Sequence, residues 1–94
     1  MSLEFEWDRR KAASNAKKHG VTFVEALSVF RDPLARIFDD TDHSVNERRE
    51  IIIGYSSRRR LLLVGFTERL GRVRLIHARR ATRAERINHE EYLS

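Results

Sequence analysis

Three apolar runs crowd the second half of the chain, and the shortness of what joins them restricts the fold more than any other feature. Arg48–Tyr55, Leu61–Glu68 and Arg72–Ala78 are rich in Val, Ile, Leu and Phe, and only Ser56–Arg60 and Arg69-Leu-Gly71 separate them. Parallel neighbours need a crossover of a dozen or more residues, so these runs predict an antiparallel meander. Leu3-Glu-Phe-Glu-Trp7 alternates apolar and acidic residues, as a short strand with one buried face does. Asp8 suits the N-cap of a helix carrying Ala12, Ala13 and Ala16 on one side, with Lys17 and Lys18 in its last turn and Gly20 as its stop. Thr22 caps a second helix with Phe23, Ala26, Leu27 and Phe30 at helical spacing, and Glu25 follows Thr22 as in a capping box. After Pro33, Leu34–Phe38 predicts another short strand and Asp39–Asn46 a polar loop; Thr82, with Glu85 three residues on, caps a final helix. The order β, α, α, β, β, β, β, α predicts an α+β fold. It is an antiparallel sheet of four to five strands with two N-terminal helices and one C-terminal helix, forming a single domain over residues 1–94.

Charge divides unevenly. Residues 1–47 hold 7 basic and 9 acidic side chains, residues 48–94 hold 12 and 5, and all 12 cations of the second half are Arg. Arg presents a planar fork of donors that suits phosphates and stacks on bases, so an anionic partner is expected, with nucleic acid foremost. The absence of Cys excludes disulfides, Cys-bound zinc and thiol nucleophiles. The four His are scattered, and Asp39, Asp40 and Asp42 lack the Gly and Glu spacing of a calcium loop, so no metal or other cofactor is expected. The acidic start is unlike a signal peptide and the longest apolar run, Leu61–Phe66, is too short to span a bilayer; a soluble cytoplasmic protein is the expectation.

Several strings occur in an order that resembles the BrnT toxin family. They are Phe5-Glu-Trp-Asp8 with Asn15, Lys18-His-Gly-Val21, Phe23 with Glu25-Ala26, Val29-Phe30 with Asp32-Pro33, Asp42-His-Ser44 with Glu47-Arg48, and Arg74–Thr82 ahead of Glu85. His77, where the family is expected to carry Ser, and Val45-Asn46, where it carries an acid, depart from the pattern. The resemblance implies a RelE-like endoribonuclease of the mRNA-interferase type in a type II toxin–antitoxin module. Such a toxin inhibits translation by cleaving single-stranded or ribosome-associated RNA. The implied partner is a small BrnA-like antitoxin with a ribbon-helix-helix DNA-binding part, whose dimer would carry two toxin copies as a heterotetramer.

Metal-independent RNA cleavage needs a base for the 2′-hydroxyl, cations for the developing phosphorane charge and an acid for the leaving 5′-oxygen. Strict alternation sets Arg72 and Arg74 on one face of the last strand, with Val73, Leu75 and a packed His77 on the core face. Arg74 is the candidate charge stabiliser and Arg72 a phosphate contact, against the plainer account of solvated surface charges. Arg79 and Arg80 precede a helix N-terminus and, being consecutive, cannot both face one groove. Arg79 is favoured as catalytic and Arg80 as an RNA contact, with an ion pair to Glu68 or Glu85 as the structural alternative. Glu68 is the candidate base, or else the salt-bridge partner of Arg48 or Arg74; His43 is the candidate acid or base by intrinsic pKa, or else a turn residue. Lys18 and Arg48 complete the expected RNA-binding set, although Lys18 equally suits a helix dipole. A non-enzymatic basic nucleic-acid-binding module remains the alternative class, and a base beside the Arg face is what separates the two.

Overall fold

The computed structural model describes residues 3–42 and 46–94. The elements are β1 (Phe5–Glu6), α1 (Arg9–His19), α2 (Phe23–Val29), β2 (Arg36–Asp39), β3 (Glu50–Tyr55), β4 (Leu61–Arg69), β5 (Arg72–Arg80) and α3 (Arg83–Leu93). The sheet runs β1-β5-β4-β3-β2. The meander is antiparallel as its short connections require, but β1 joins parallel to β5, Phe5 beside Val73 and Glu6 beside Arg74, so the five-stranded sheet is mixed. The two N-terminal helices between β1 and the meander are what allow that parallel return.

Local chemistry sets most boundaries. Asp8 accepts from the Lys11 amide at 3.0 Å, and Gly20 ends α1 at φ 68°, a left-handed conformation that costs glycine little. Thr22 caps α2, yet its capping box stays open because the Glu25 carboxylate turns into the protein; the box at Thr82 and Glu85 closes completely. The strand after Pro33 begins at Arg36 and not Leu34, because Asp32 first binds the Leu34 amide and, with its other oxygen, the Tyr55 amide.

One face of the sheet carries α1 and α2 over Val21, Phe23, Ala26, Val29, Leu62, Val64, Phe66, Val73, Leu75 and Ala78. Trp7, Phe5 and Phe30 extend this core by edge-on ring contacts, including Phe5–Phe30 at 5.0 Å and Phe30–Phe66 at 5.2 Å. Buried Asn15 closes a gap beside the short β1. Its amide nitrogen donates to the Val21 and Ala78 carbonyls at 2.9 and 2.7 Å, and its oxygen accepts from the Ala78 amide at 2.9 Å, standing in for a neighbouring strand. On the opposite face Ile53, Leu61 and Leu63 form a smaller cluster beneath α3.

The sheet carries one irregularity that matters for function. Gly65 pairs with His77 but the next residue, Phe66, pairs with Leu75, so β5 bulges at Ile76. An extra residue inverts the alternation beyond it. Ala78 therefore joins Val73 and Leu75 in the helix-covered core, while His77 moves to the face of Arg72 and Arg74. The expectation of a core-facing His77 is corrected accordingly.

Candidate functional site

The bulge lines up Arg72, Arg74, His77 and Arg79 along the α3 side of β5. Beside them the parallel pairing sets Glu6 and, two residues before it, Glu4, two acids that the reading of the sequence did not place in the site. Arg74 Nη1 donates to Glu6 Oε2 at 2.7 Å with both side chains 29% exposed, and Arg72 reaches Glu4 at 3.2 Å and Glu6 at 3.8 Å. Glu6 thus lies within reach of two guanidiniums, so a phosphate bound at those cations would meet this carboxylate. The His77 ring lies over Gly65 so closely that a Cβ there would sit 2.2 Å from its Nε2, which fixes the imidazole against the sheet. At the lower edge Arg69 binds Glu47 at 2.9 Å; that bond, with help from Arg49 and Arg74, holds the Glu47 carboxyl below its usual range.

At the upper end of the row Arg79 grips Glu85 with both guanidinium nitrogens at 2.8 and 3.0 Å, and Glu85 also accepts from the Thr82 amide at 2.8 Å. The Arg79 bond is the main reason the Glu85 carboxyl falls to about 2. Further along α3, Arg36 donates to His89 Nδ1 and Asn88 Oδ1, each at 3.3 Å, and lies 4.2 Å from the centre of the Tyr92 ring. His89 is fully buried, and burial, followed by the charge of Arg36, pushes its pKa down. Beneath α3 an open groove of about 290 Å³ is lined by Arg36, Phe38, Ile53, Leu63, Ala84, Glu85 and Asn88.

The structure brings Arg72, Arg74 and Arg79 onto one face and sets Glu68, Lys18 and Arg80 apart from them. Glu68 is exposed and sits opposite Val73, which sets it on the helix-covered side, across the sheet from Arg74. Neither of its expected partners binds it: Arg74 pairs with Glu6, and Arg48 with Asp39 at 2.8 Å. Arg79 takes the Glu85 ion pair. Lys18 is exposed on α1, against the other side of the sheet, and Arg80 lies at the far end of β5 beside Arg59 and Arg86. His43 lies outside the described residues. The 3-to-7 alternation already put Glu4 and Glu6 opposite Phe5; what it lacked was the pairing that carries them to residues 72 and 74. An isolated Gly65 within an apolar strand was the available signal for the bulge.

Chemically, this face offers a carboxylate, two adjacent guanidiniums and an imidazole in one row, the equipment for phosphoryl chemistry by charge stabilisation and proton transfer. Among the described residues no three His, Asp or Glu side chains converge as metal ligands would. A family model described as the ribonuclease toxin BrnT of type II toxin–antitoxin systems matches residues 7–85. The crystal structure of the Brucella abortus ribonuclease toxin BrnT is similar in fold, with a TM-score of 0.67 over 87% of this chain and 100% of that one at 21% identity. No curated protein matches the chain.

Proposed function

The chain belongs to the BrnT family of ribonuclease toxins of type II toxin–antitoxin systems, and we propose that it cuts RNA without a metal, on the face where Arg74, Glu6 and His77 stand together. The Arg74–Glu6 contact on an open strand face carries this reading, since it couples a phosphate-binding cation to a base. In the proposed reaction a backbone phosphate displaces Glu6 from Arg74 and Arg72. Glu6 then takes the 2′-hydroxyl proton, and that oxygen bonds to the adjacent phosphorus. The guanidiniums hold the charge gathering on the equatorial oxygens. His77 gives a proton to the 5′-oxygen as the P–O bond breaks, leaving a 2′,3′-cyclic phosphate and a 5′-hydroxyl. Arg79 is a reserve cation in this scheme, occupied by Glu85 until substrate competes for it.

Translation would stop through loss of RNA, and an antitoxin would neutralise the toxin by covering this row, as the family's pairing with an antitoxin suggests. A ribbon-helix-helix partner binding as a dimer, giving a heterotetramer with two toxin copies, completes the proposal. The test is incubation of the purified chain with end-labelled RNA in EDTA, alongside Arg74→Ala and Glu6→Gln. Cleavage in EDTA to cyclic phosphate ends is expected, falling by about 10²-fold or more in either folded variant. Cleavage that vanishes in EDTA and returns with Mg²⁺, or that survives both substitutions, overturns the mechanism.

A further inference from the structure

The arginines of this protein differ in how their charge is met. Arg48, Arg60, Arg69, Arg72, Arg74 and Arg79 are each in an ion pair. Arg59, Arg80 and Arg86 have no ion pair with an acid among the described residues, yet they come from three different elements to line one concavity of about 270 Å³. The β3–β4 turn supplies Arg59, the end of β5 supplies Arg80 and the second turn of α3 supplies Arg86. Its wall is stiff. The Arg60 guanidinium is held by Glu25, buried and bonded in turn to Ser56 at 2.7 Å, and by the Gly20 carbonyl at 3.0 Å. Tyr55 stands at the rim, 38% exposed, with one side of its ring towards His89. Arg59 itself sits at φ 62°, a left-handed conformation that glycine or asparagine would adopt at less cost.

Three like charges with one acid, Glu90, in the same lining keep a positive excess, and an anion between them relieves their repulsion. Arginines around an exposed aromatic ring are what a single-stranded nucleic acid uses, phosphate on the cations and base on the ring. Glu90, also at the rim, disfavours an acidic polypeptide but can accept from a base edge or a ribose hydroxyl. From Arg74 to Arg80 is six residues of β5, about 20 Å at strand rise, a span that a strand of several nucleotides covers. We propose that the Arg59–Arg80–Arg86 concavity is a second nucleotide subsite, which takes a phosphate and stacks a base on Tyr55 while the same RNA strand lies at Arg74. The inference rests on the reading of the chain as an RNA-cleaving toxin and extends it to a substrate several nucleotides long, held at both ends of β5.

The test reads binding apart from chemistry. A fluorescein-labelled ten-nucleotide 2′-O-methyl oligouridine, whose blocked 2′-oxygen cannot attack, is titrated with the whole chain across a salt series by anisotropy. Arg59→Ala, Arg80→Ala and Arg86→Ala should each weaken binding several-fold, and each lost phosphate contact should lower the slope of log K against log salt by about 0.7. Tyr55→Leu should weaken binding about tenfold or more with the slope unchanged, because stacking releases no counter-ions. A three-nucleotide probe, too short to reach from Arg74, should respond to Arg80→Ala less than the ten-mer does. Thermal melts verify that each variant is folded. Wild-type affinity and slope in the folded Arg variants, or no binding of the ten-mer by the wild type, overturns the subsite. So does an oligoglutamate that displaces the ten-mer from the wild type but binds the Arg variants as weakly as RNA does, which assigns the concavity to an acidic polypeptide. Cleavage of RNA by a chain whose Arg variants bind normally removes the subsite alone; tight, subsite-dependent binding by a chain that cuts nothing removes the enzymatic reading alone.

Discussion

Glu85→Gln isolates the contact that ties α3 to the sheet and occupies Arg79. Glutamine keeps the capping box at Thr82, since its side-chain oxygen can still accept from the Thr82 amide, so the substitution removes charge with little loss of helix signal. The carboxyl falls from 4.5 to about 2, mainly through Arg79. That difference corresponds to about 3.4 kcal/mol at 1.36 kcal/mol per pKa unit. With Glu85 31% and Arg79 34% exposed, solvent screening reduces it to about 1–2 kcal/mol. A depressed carboxylate stabilises the fold above its unfolded pKa, and the contribution disappears as pH falls through its folded pKa. The wild type should therefore lose this increment between about pH 4.5 and 2, and Glu85→Gln should lack it at every pH. Urea unfolding of both proteins from pH 7 to pH 2 measures it, because shared titrations cancel in the difference. The gap should be about 1–2 kcal/mol at pH 7 and close towards zero at pH 2. A pH-independent gap would refute an ionic origin, and no gap at pH 7 would make the pair energetically idle. The same variant frees Arg79, so it should bind the 2′-O-methyl ten-mer more tightly than the wild type; unchanged affinity would remove Arg79 from the RNA face.

Three further outcomes follow from the packing. Asn15→Ala strips partners from the Val21 carbonyl and from both backbone groups of Ala78, and should cost about 3 kcal/mol or more in urea unfolding; a loss below about 1 kcal/mol would mean that water replaces the side chain freely. Gly65→Ala drives a methyl into the His77 ring, so it should cost about 1–3 kcal/mol and lower cleavage, with the stability regained in Gly65→Ala/His77→Ala; additive losses in that cycle would deny the contact. His89 has a folded pKa below its ordinary 6.5, so protons favour the unfolded chain and stability should decline as pH falls below about 6.5, a slope that His89→Gln should lack; parallel pH profiles for the two proteins would show His89 to titrate as freely folded as unfolded.

How far the sequence reached depended on whether the determining interactions were local. Caps at Asp8, Thr22 and Thr82, the stop at Gly20 and the meander all rest on contacts within a few residues or across a short turn, so residue type and spacing sufficed to place them. The α+β class followed from their order, and the concentration of Arg in the second half pointed to an anionic partner before any coordinate. What only the tertiary structure decided was which charges meet. The parallel return of β1 joins Glu6 to Arg74 across 68 residues, and nothing in the local pattern encodes a partner so remote. One extra residue at Ile76 reversed the facing of every side chain beyond it, moving His77 out of the core and onto the row of Arg72 and Arg74. Counting by twos cannot anticipate a bulge, because alternation holds only while both strands advance in step. The same limit divided the arginines. Arg79 and Arg80 look equivalent as neighbours in sequence, but Arg79 faces the carboxylate of Glu85 while Arg80 turns to the other side and lines a concavity with Arg59 and Arg86, none of the three in an ion pair among the described residues.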